Sequence, residues 1–256
     1  MQKECGFPAP YVDTLLDLQL PDDKRKLEDG EVVSLCPEFL NAGTHATYAA
    51  LQWIMGNLVK YPHIQARVFE EISGAMGERR DEVKEEDLQK LPYLKAVILE
   101  GLRRHPPAHF GMPHGVSQDV ALGGHAIPQN ASIYFMEAEI GWNSNLWEDP
   151  MEFKPKRFLN GDGVEAFDVT GSKEIKMMPF GAGRRICPGY GLGILYLEFF
   201  VAENVNLNNE LHLEGAIDGD DDDLSEKTVL ALMPVLMKNP LKAHLAPRVI
   251  DEAEAD

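Results

Sequence analysis

The residues best placed to do chemistry lie in one run, Phe180-Gly181-Ala182-Gly183-Arg184-Arg185-Ile186-Cys187-Pro188-Gly189. Its glycines let backbone approach another group closely, and arginine stands two residues before the cysteine. After Cys187-Pro188 comes an apolar helical pattern through Leu192, Leu195, Tyr196, Phe199, Phe200 and Ala202. This predicts a thiol at a helix cap, with proline as the first helical residue. The positive end of the helix dipole and unpaired N–H groups would favour the thiolate there. A thiolate is a metal ligand or a nucleophile, whereas a free cysteine is as often plain core, and the residues alone leave both readings open. Gly181-x-Gly183 is not a dinucleotide loop, because the third glycine and the preceding strand are absent.

A second pattern is Glu100-Gly101-Leu102-Arg103, a carboxylate and a guanidinium three residues apart on one helix face. Taken alone it reads as a solvated pair worth under ~1 kcal/mol. His105 and His109 straddle Pro106-Pro107 and so do not form a helical zinc pair. The acidic turn Asp218 to Asp223 lacks the central glycine and closing glutamate of a calcium loop. Cys5, Cys36 and Cys187 are too far apart for a four-thiolate site, and their odd number argues against a disulfide framework.

Phe180, Gly183, Arg185, Cys187 and Gly189 resemble, at every fixed position, the haem-binding loop F-x-x-G-x-R-x-C-x-G of the cytochrome P-450 haem-thiolate monooxygenases. The resemblance implies that Cys187 is the axial thiolate of haem iron and that Arg185 pairs a haem propionate. It implies that Glu100 and Arg103 are the family's E-x-x-R helix. Pro155-Lys156-Arg157-Phe158 is similar to the family's P-E-R-F segment, with Lys156 in place of the usual acid. Arg157 would then complete a structural network with Glu100 and Arg103. Phe110-Gly111-Met112-Pro113-His114 stands where the family lines its pocket, and His114 resembles a propionate partner. Tyr61-Pro62, the Gly123-Gly124 hairpin and Trp147-Glu148-Asp149-Pro150 extend the resemblance, to the plant microsomal branch, over nearly the whole chain.

The pattern departs from the family at Asn41 to Tyr48, where the oxygen-activating helix carries A-G-x-[D/E]-T-[T/S]. Ala42, Gly43 and Thr47 match, but His45 replaces the acid and Ala46 the usual threonine. The resemblance makes Gly43 a cofactor-side residue and His45 and Thr47 the catalytic candidates. Ala46 has no donor or acceptor for a proton relay, so the expectation is a site that diverts electrons to peroxide.

The elements that must position these residues are mostly helical. Apolar spacing predicts helices from Tyr11 to Leu20, Asn41 to Lys60, His63 to Met76, Glu85 to Leu91 and Tyr93 to Arg104, with prolines or Gly77 ending most of them. Val120–Leu122 and His125–Ile127 around Gly123-Gly124 read as a two-residue hairpin, and Ser132 to Met136 as a third strand. From Trp142 to Met178 no period holds. Asn204 to Asn209 is polar where a core helix would continue, and Val229–Leu232 and Leu241–His244 read as short strands. The class is mainly α with a small β part. By resemblance it is the C-terminal portion of the cytochrome P-450 fold, in one partial domain. Residues 1–37 are a linker and short helix, 38–60 the oxygen-activating helix, 93–105 the E-x-x-R helix, 180–189 the haem-binding loop and 190–203 the helix that follows.

With 24 Lys+Arg against 42 Asp+Glu among 256 residues, a general nucleic-acid surface is excluded. Residues 197–256 hold 14 acids and 4 bases, so the body is only mildly acidic and can still carry a basic patch. No long uncharged apolar run or secretory leader is present, which predicts no membrane-spanning segment. The resemblance implies haem, NADPH electrons from a flavoprotein reductase docking near Arg184, Lys173 and Lys176, and hydroxylation of a small apolar substrate facing Phe110, Met112 and Leu230 to Leu232. It further implies the cytosolic face of the endoplasmic reticulum. The anchor and N-terminal half of the family fold have no counterpart, so the expectation is a truncated form, cytoplasmic by itself. The alternative is a non-catalytic remnant that at most binds haem or a partner.

Overall fold

The structure, a computed structural model, describes residues 10–77, 82–160, 163–164, 167–207, 211–215, 226–227, 235–239, 241 and 243–247. It divides into two units, Met1–His45 and Ala46–Asp256.

In the first unit, α1 (Tyr11–Asp17) buries Leu15, and the Tyr11 ring stacks on Phe39 at 4.5 Å. Arg25 forks onto Glu31 at 2.7 and 2.9 Å, and that bond holds the Glu31 carboxyl down at about 2. The long helix α2 (Asp29–Lys60) begins here, nine residues before the expected start at 38 and twelve before Asn41. Pro37 lies inside it. A proline normally marks a boundary because it lacks the N–H for the i−4 carbonyl. Here acidic Asp29 and Glu31 occupy the first turn, favoured by the helix dipole. Residues 29–37 are therefore helix rather than linker.

The second unit is built on helices. It holds the rest of α2, α3 (Pro62–Met76), α4 (Glu85–Leu88), α5 (Pro92–Arg104), α6 (Glu137–Gly141) and α7 (Tyr190–Leu207). Ile54 and Leu58 of α2, Val68 and Ile72 of α3, Leu94, Ile98 and Leu102 of α5 and Val201 of α7 form one apolar core. A smaller core joins Ala96, Leu99, Trp147, Phe158 and Met177. The two cores share α5, which is buried from Leu94 to Leu102 except at Lys95. Pro92 opens α5 at a position where its missing N–H leaves no bond unmade. The next two donors, on Tyr93 and Leu94, are taken by the Glu71 carboxylate of α3 at 2.7 and 2.9 Å. A neighbouring helix thus caps α5.

The small sheets are two-stranded. β1 (His114–Gly115) pairs with β4 (Ser132–Ile133), and Phe110 bridges Met136. The expected strand 132–136 is thus shortened, and it pairs with the segment after α5. β2 (Val120–Leu122) and β3 (His125–Ile127) form the expected hairpin. Gly123 and Gly124 have φ of 57° and 82°, which side-chain-bearing residues rarely adopt. Within the largely irregular stretch 142–178, β5 (Leu159–Asn160) pairs with β6 (Gly163–Val164), after a 3-10 turn at Pro155–Phe158. Beyond α7, β7 (Leu211–Gly215) pairs with β10 (Ala243–Pro247), and β8 (Glu226–Lys227) with β9 (Leu236–Met237). The expected strand 229–232 and the acidic turn 218–223 lie outside the described residues. Polar Asn204 and Asn206 do not end α7. The Asn204 amide donates to the Phe200 carbonyl at 2.7 Å, and Val205 stays buried.

Candidate functional site

The loop from Phe180 to Gly189 is closed by one backbone bond, from the Cys187 N–H to the Phe180 carbonyl at 2.8 Å. Between them Gly181 and Gly183 have φ of 70° and 69°, so the chain can turn there without a strained side chain. Phe180 packs partly against both cores, which ties the loop to α5. A Cβ on Gly193 would meet its ring at 3.5 Å. Cys187 is exposed, which removes the core-thiol reading. Its position differs from expectation in one respect: α7 starts at Tyr190, and Pro188 is not its first residue. The Cys187 carbonyl accepts the Tyr190 N–H at 3.3 Å, so Pro188 and Gly189 are used in a turn before the α-helical bonds begin. A Cβ on Gly189 would stand 3.9 Å from the thiol sulfur. Arg184 and Arg185 are exposed beside the thiol, and neither pairs with a carboxylate among the described residues. An open thiol, a glycine beside it and two exposed guanidinium groups fit a thiolate-bound group with anionic arms.

Just upstream, Asp168 ties the approach to the loop. Its carboxylate accepts from the Thr170 hydroxyl and N–H, the Ser172 hydroxyl and the Lys173 N–H. The Thr170 hydroxyl, foremost among these donors, holds the Asp168 carboxyl far below the usual range.

Glu100 and Arg103 are not a solvated pair. They are 0% and 1% exposed, because α5 is enclosed by both cores. Arg103 donates from Nε and Nη2 to the two Glu100 oxygens at 2.8 and 2.9 Å. Its other donors reach the carbonyls of Gly141 and Pro150, each at 2.7 Å, and of Glu152 at 3.2 Å. Every guanidinium hydrogen therefore has an acceptor. Arg157 joins through Nε at 3.1 Å, and the Lys154 N–H donates to Glu100 Oε1 at 2.7 Å. The Trp147 ring lies 5.4 Å from the Arg103 guanidinium carbon and 5.8 Å from that of Arg157. Reading the residues alone did not find Gly141 and Trp147 here. A Cβ at Gly141 would fall 2.6 Å from the Arg103 carbonyl oxygen, so glycine is needed for this approach.

The other candidates are dispersed. Gly43 and His45 are exposed on α2 in the first unit, where the His45 ring Nδ1 lies 3.1 Å from the Asn41 carbonyl. Thr47 is half-buried on the same helix in the second unit. His114 lies on β1 with its ring edge-on to Phe135 at 5.3 Å. His105 is buried and stacks flat on Trp53 at 4.2 Å. Among the described residues no group of three or more His, Cys, Asp or Glu side chains is arranged to hold a metal ion, and no helix is long and apolar enough to cross a membrane.

The helical cores, with the glycine loop ahead of α7 and the buried carboxylate–guanidinium set on α5, have counterparts among known proteins. The family model for cytochrome P450 matches residues 8–208. Cytochrome P450 89A9 of Arabidopsis thaliana is 52% identical over 96% of this chain and 49% of its own length. Flavonoid 3'-monooxygenase of the same plant is 34% identical over 92% of this chain and 45% of its own length. A solved zebra fish cytochrome P450, determined with abiraterone, superposes with a TM-score of 0.77 at 26% identity, over 95% of this chain and 55% of that one. The chain belongs to the cytochrome P450 family. It spans about half the length of the curated relatives it matches.

Proposed function

We propose that this chain carries the haem-thiolate centre of a cytochrome P450 monooxygenase, with Cys187 as the axial ligand and Arg185 on a haem propionate. The observation that supports it is the exposed Cys187 thiol at the end of a closed glycine loop, with Arg184 and Arg185 exposed just before it and paired with no carboxylate among the described residues. Haem bound there would supply the activation of O2 by NADPH electrons, one oxygen atom entering an apolar substrate and the other leaving as water.

The chain's own residues divide the remaining work. Gly181 and Gly183 shape the loop, and Phe180 anchors it to the cores. Phe180, Gly183 and Gly189 give the bound group a close backbone and an aromatic wall. Glu100, Arg103 and Arg157 hold the 141–157 segment rigid behind it, and His114 is a second propionate partner. On α2, the oxygen-activating helix of this reading, Gly43 leaves an open backbone face, since a Cβ there would meet nothing within 4 Å. His45 and Thr47 are the groups that pass protons. The reductase docks on the Cys187 side, where Arg184 and Lys173 are exposed. Lys176 is already paired with Glu174 at 3.5 Å. The working protein lies at the cytosolic face of the endoplasmic reticulum.

One residue favours a second reading, a P450-type chain that binds haem or a partner without oxygen chemistry: Ala46, which offers no hydroxyl. The deciding experiment is the ferrous carbon-monoxide difference spectrum of the chain reconstituted with haem, with Cys187→Ala alongside. A strongly red-shifted Soret band lost in the variant supports thiolate ligation. A spectrum indifferent to Cys187 overturns it.

A further inference from the structure

Trp53 on α2 is fully buried, and its ring lies flat on His105, with 4.2 Å between ring centroids and 5° between planes. A buried indole N–H needs an acceptor. Here it donates to the Val235 carbonyl at 2.8 Å, 182 residues further along the chain. The Val235 N–H donates in turn to the Pro107 carbonyl at 2.8 Å. The neighbouring side chain of α2, Gln52, accepts the Met237 N–H on Oε1 at 3.1 Å. Strand β9 has only a two-residue ladder with β8, too short to be stable by itself, so these three bonds set its place. His105 caps the end of α5, with its N–H on the Gly101 carbonyl at 2.8 Å. The segment leaving α5 towards Phe110 and Met112 and the strand β9 are thereby both fastened to one turn of α2.

We propose that Trp53 and Gln52 are positioning residues for substrate: they lock β9 and the 105–112 segment to α2, and so fix the apolar side chains of Phe110 and Met112 relative to Thr47, the proton-passing candidate on the same helix. Thr47 stands six residues before Trp53 on α2, about 9 Å along the helix axis, and the helix transmits that spacing rigidly. Trp53 makes both halves of the contact. Its ring face stacks on His105 and its edge donates to Val235, so phenylalanine would keep the first and lose the second. The role for substrate rests on the haem-monooxygenase reading, whereas the lock itself needs no bound group.

Amide exchange of Val235 and Met237 in the full chain reads the lock without haem. In Trp53→Phe both amides are expected to exchange about fivefold faster, the effect of one lost hydrogen bond, with residues 92–104 unchanged. Gln52→Leu should speed Met237 by a similar factor, and Gln52→Glu, which keeps the acceptor, should restore it. Gln52 is half-buried on α2, so this second pair decides the lock even if Trp53→Phe fails to fold. Unchanged rates in Trp53→Phe, or equal rates in Gln52→Leu and Gln52→Glu, overturn it. The substrate role is read by optical titration of the haem-loaded chain with two iron-ligating probes: 4-phenylimidazole, whose phenyl ring reaches the apolar walls, and imidazole, which does not. Trp53→Phe and Gln52→Leu are expected to weaken 4-phenylimidazole about fivefold and imidazole by less than about twofold. Equal weakening of both probes, or of neither, refutes the substrate role. A wild-type chain without the thiolate carbon-monoxide band removes the haem reading and the substrate role together, and exchange still decides the lock.

Discussion

Replacing Glu100 by glutamine preserves shape and removes one charge from the centre of α5. The carboxylate accepts from Arg103 twice, from Arg157 and from the Lys154 N–H. Glutamine keeps a single oxygen and turns an amide donor towards guanidinium donors. Two cations would be left without an anion, one of them 1% exposed. Breaking a buried pair in this way costs about 3–5 kcal/mol, a large part of the ~5–15 kcal/mol that holds a typical fold. With an m-value near ~3 kcal/mol/M, the urea midpoint falls by about 1–2 M. A companion variant sharpens the test. Buried pairs can often be replaced by apolar residues at no net loss, but Arg103 also serves the carbonyls of Gly141, Pro150 and Glu152. Glu100→Met with Arg103→Leu would leave them short of donors, at about 1–3 kcal/mol for each that stays dry. The double variant is therefore expected to remain clearly less stable than wild type. A midpoint for Glu100→Gln within ~0.3 M of wild type would refute the burial argument, and a wild-type-like double variant would refute the role given to the carbonyls.

Other expectations follow from single contacts. Glu71→Ala removes the cap on Tyr93 and Leu94 and should cost about 1–2 kcal/mol in urea unfolding, with Glu71→Gln recovering part of it. Gly141→Ala drives a methyl into the Arg103 carbonyl, so its unfolding midpoint should fall by the equivalent of about 1–3 kcal/mol. The Asp168 carboxyl is held low by the Thr170 hydroxyl and its other donors, so the order it confers on residues 168–173 is present above the ordinary carboxylate pKa. That order is lost progressively as pH falls below about 4, read as faster exchange of those amides relative to Asp168→Asn. In a haem-loaded, reductase-supported assay, Ala46→Thr should raise product formed per NADPH consumed, and full coupling in wild type would count against that proton-relay argument.

What was legible in the sequence was carried by a few adjacent residues. Gly123-Gly124 determined a hairpin because two consecutive left-handed positions leave little choice of residue. Prolines at 62 and 92 marked where the helices before them end, because a proline pushes the residue ahead of it out of the helical region, and the structure shows that each also opens the next helix. The spacing of Phe180, Gly183, Arg185, Cys187 and Gly189 identified the loop and its family. What only tertiary structure decided was what covers what. The expected helix began at residue 38, yet α2 starts at Asp29 and runs through Pro37. Glu100 and Arg103 had the spacing of a surface pair, and they are buried because both cores close over α5 and the 141–157 segment brings its carbonyls to the guanidinium. Glu71 reaches the start of α5 from another helix, 22 residues earlier. Cys187 could equally have been core, and only the packed loop leaves its sulfur open. Local backbone preferences are properties of neighbouring residues, whereas burial, and with it the strength of every charge, depends on segments far away in the chain.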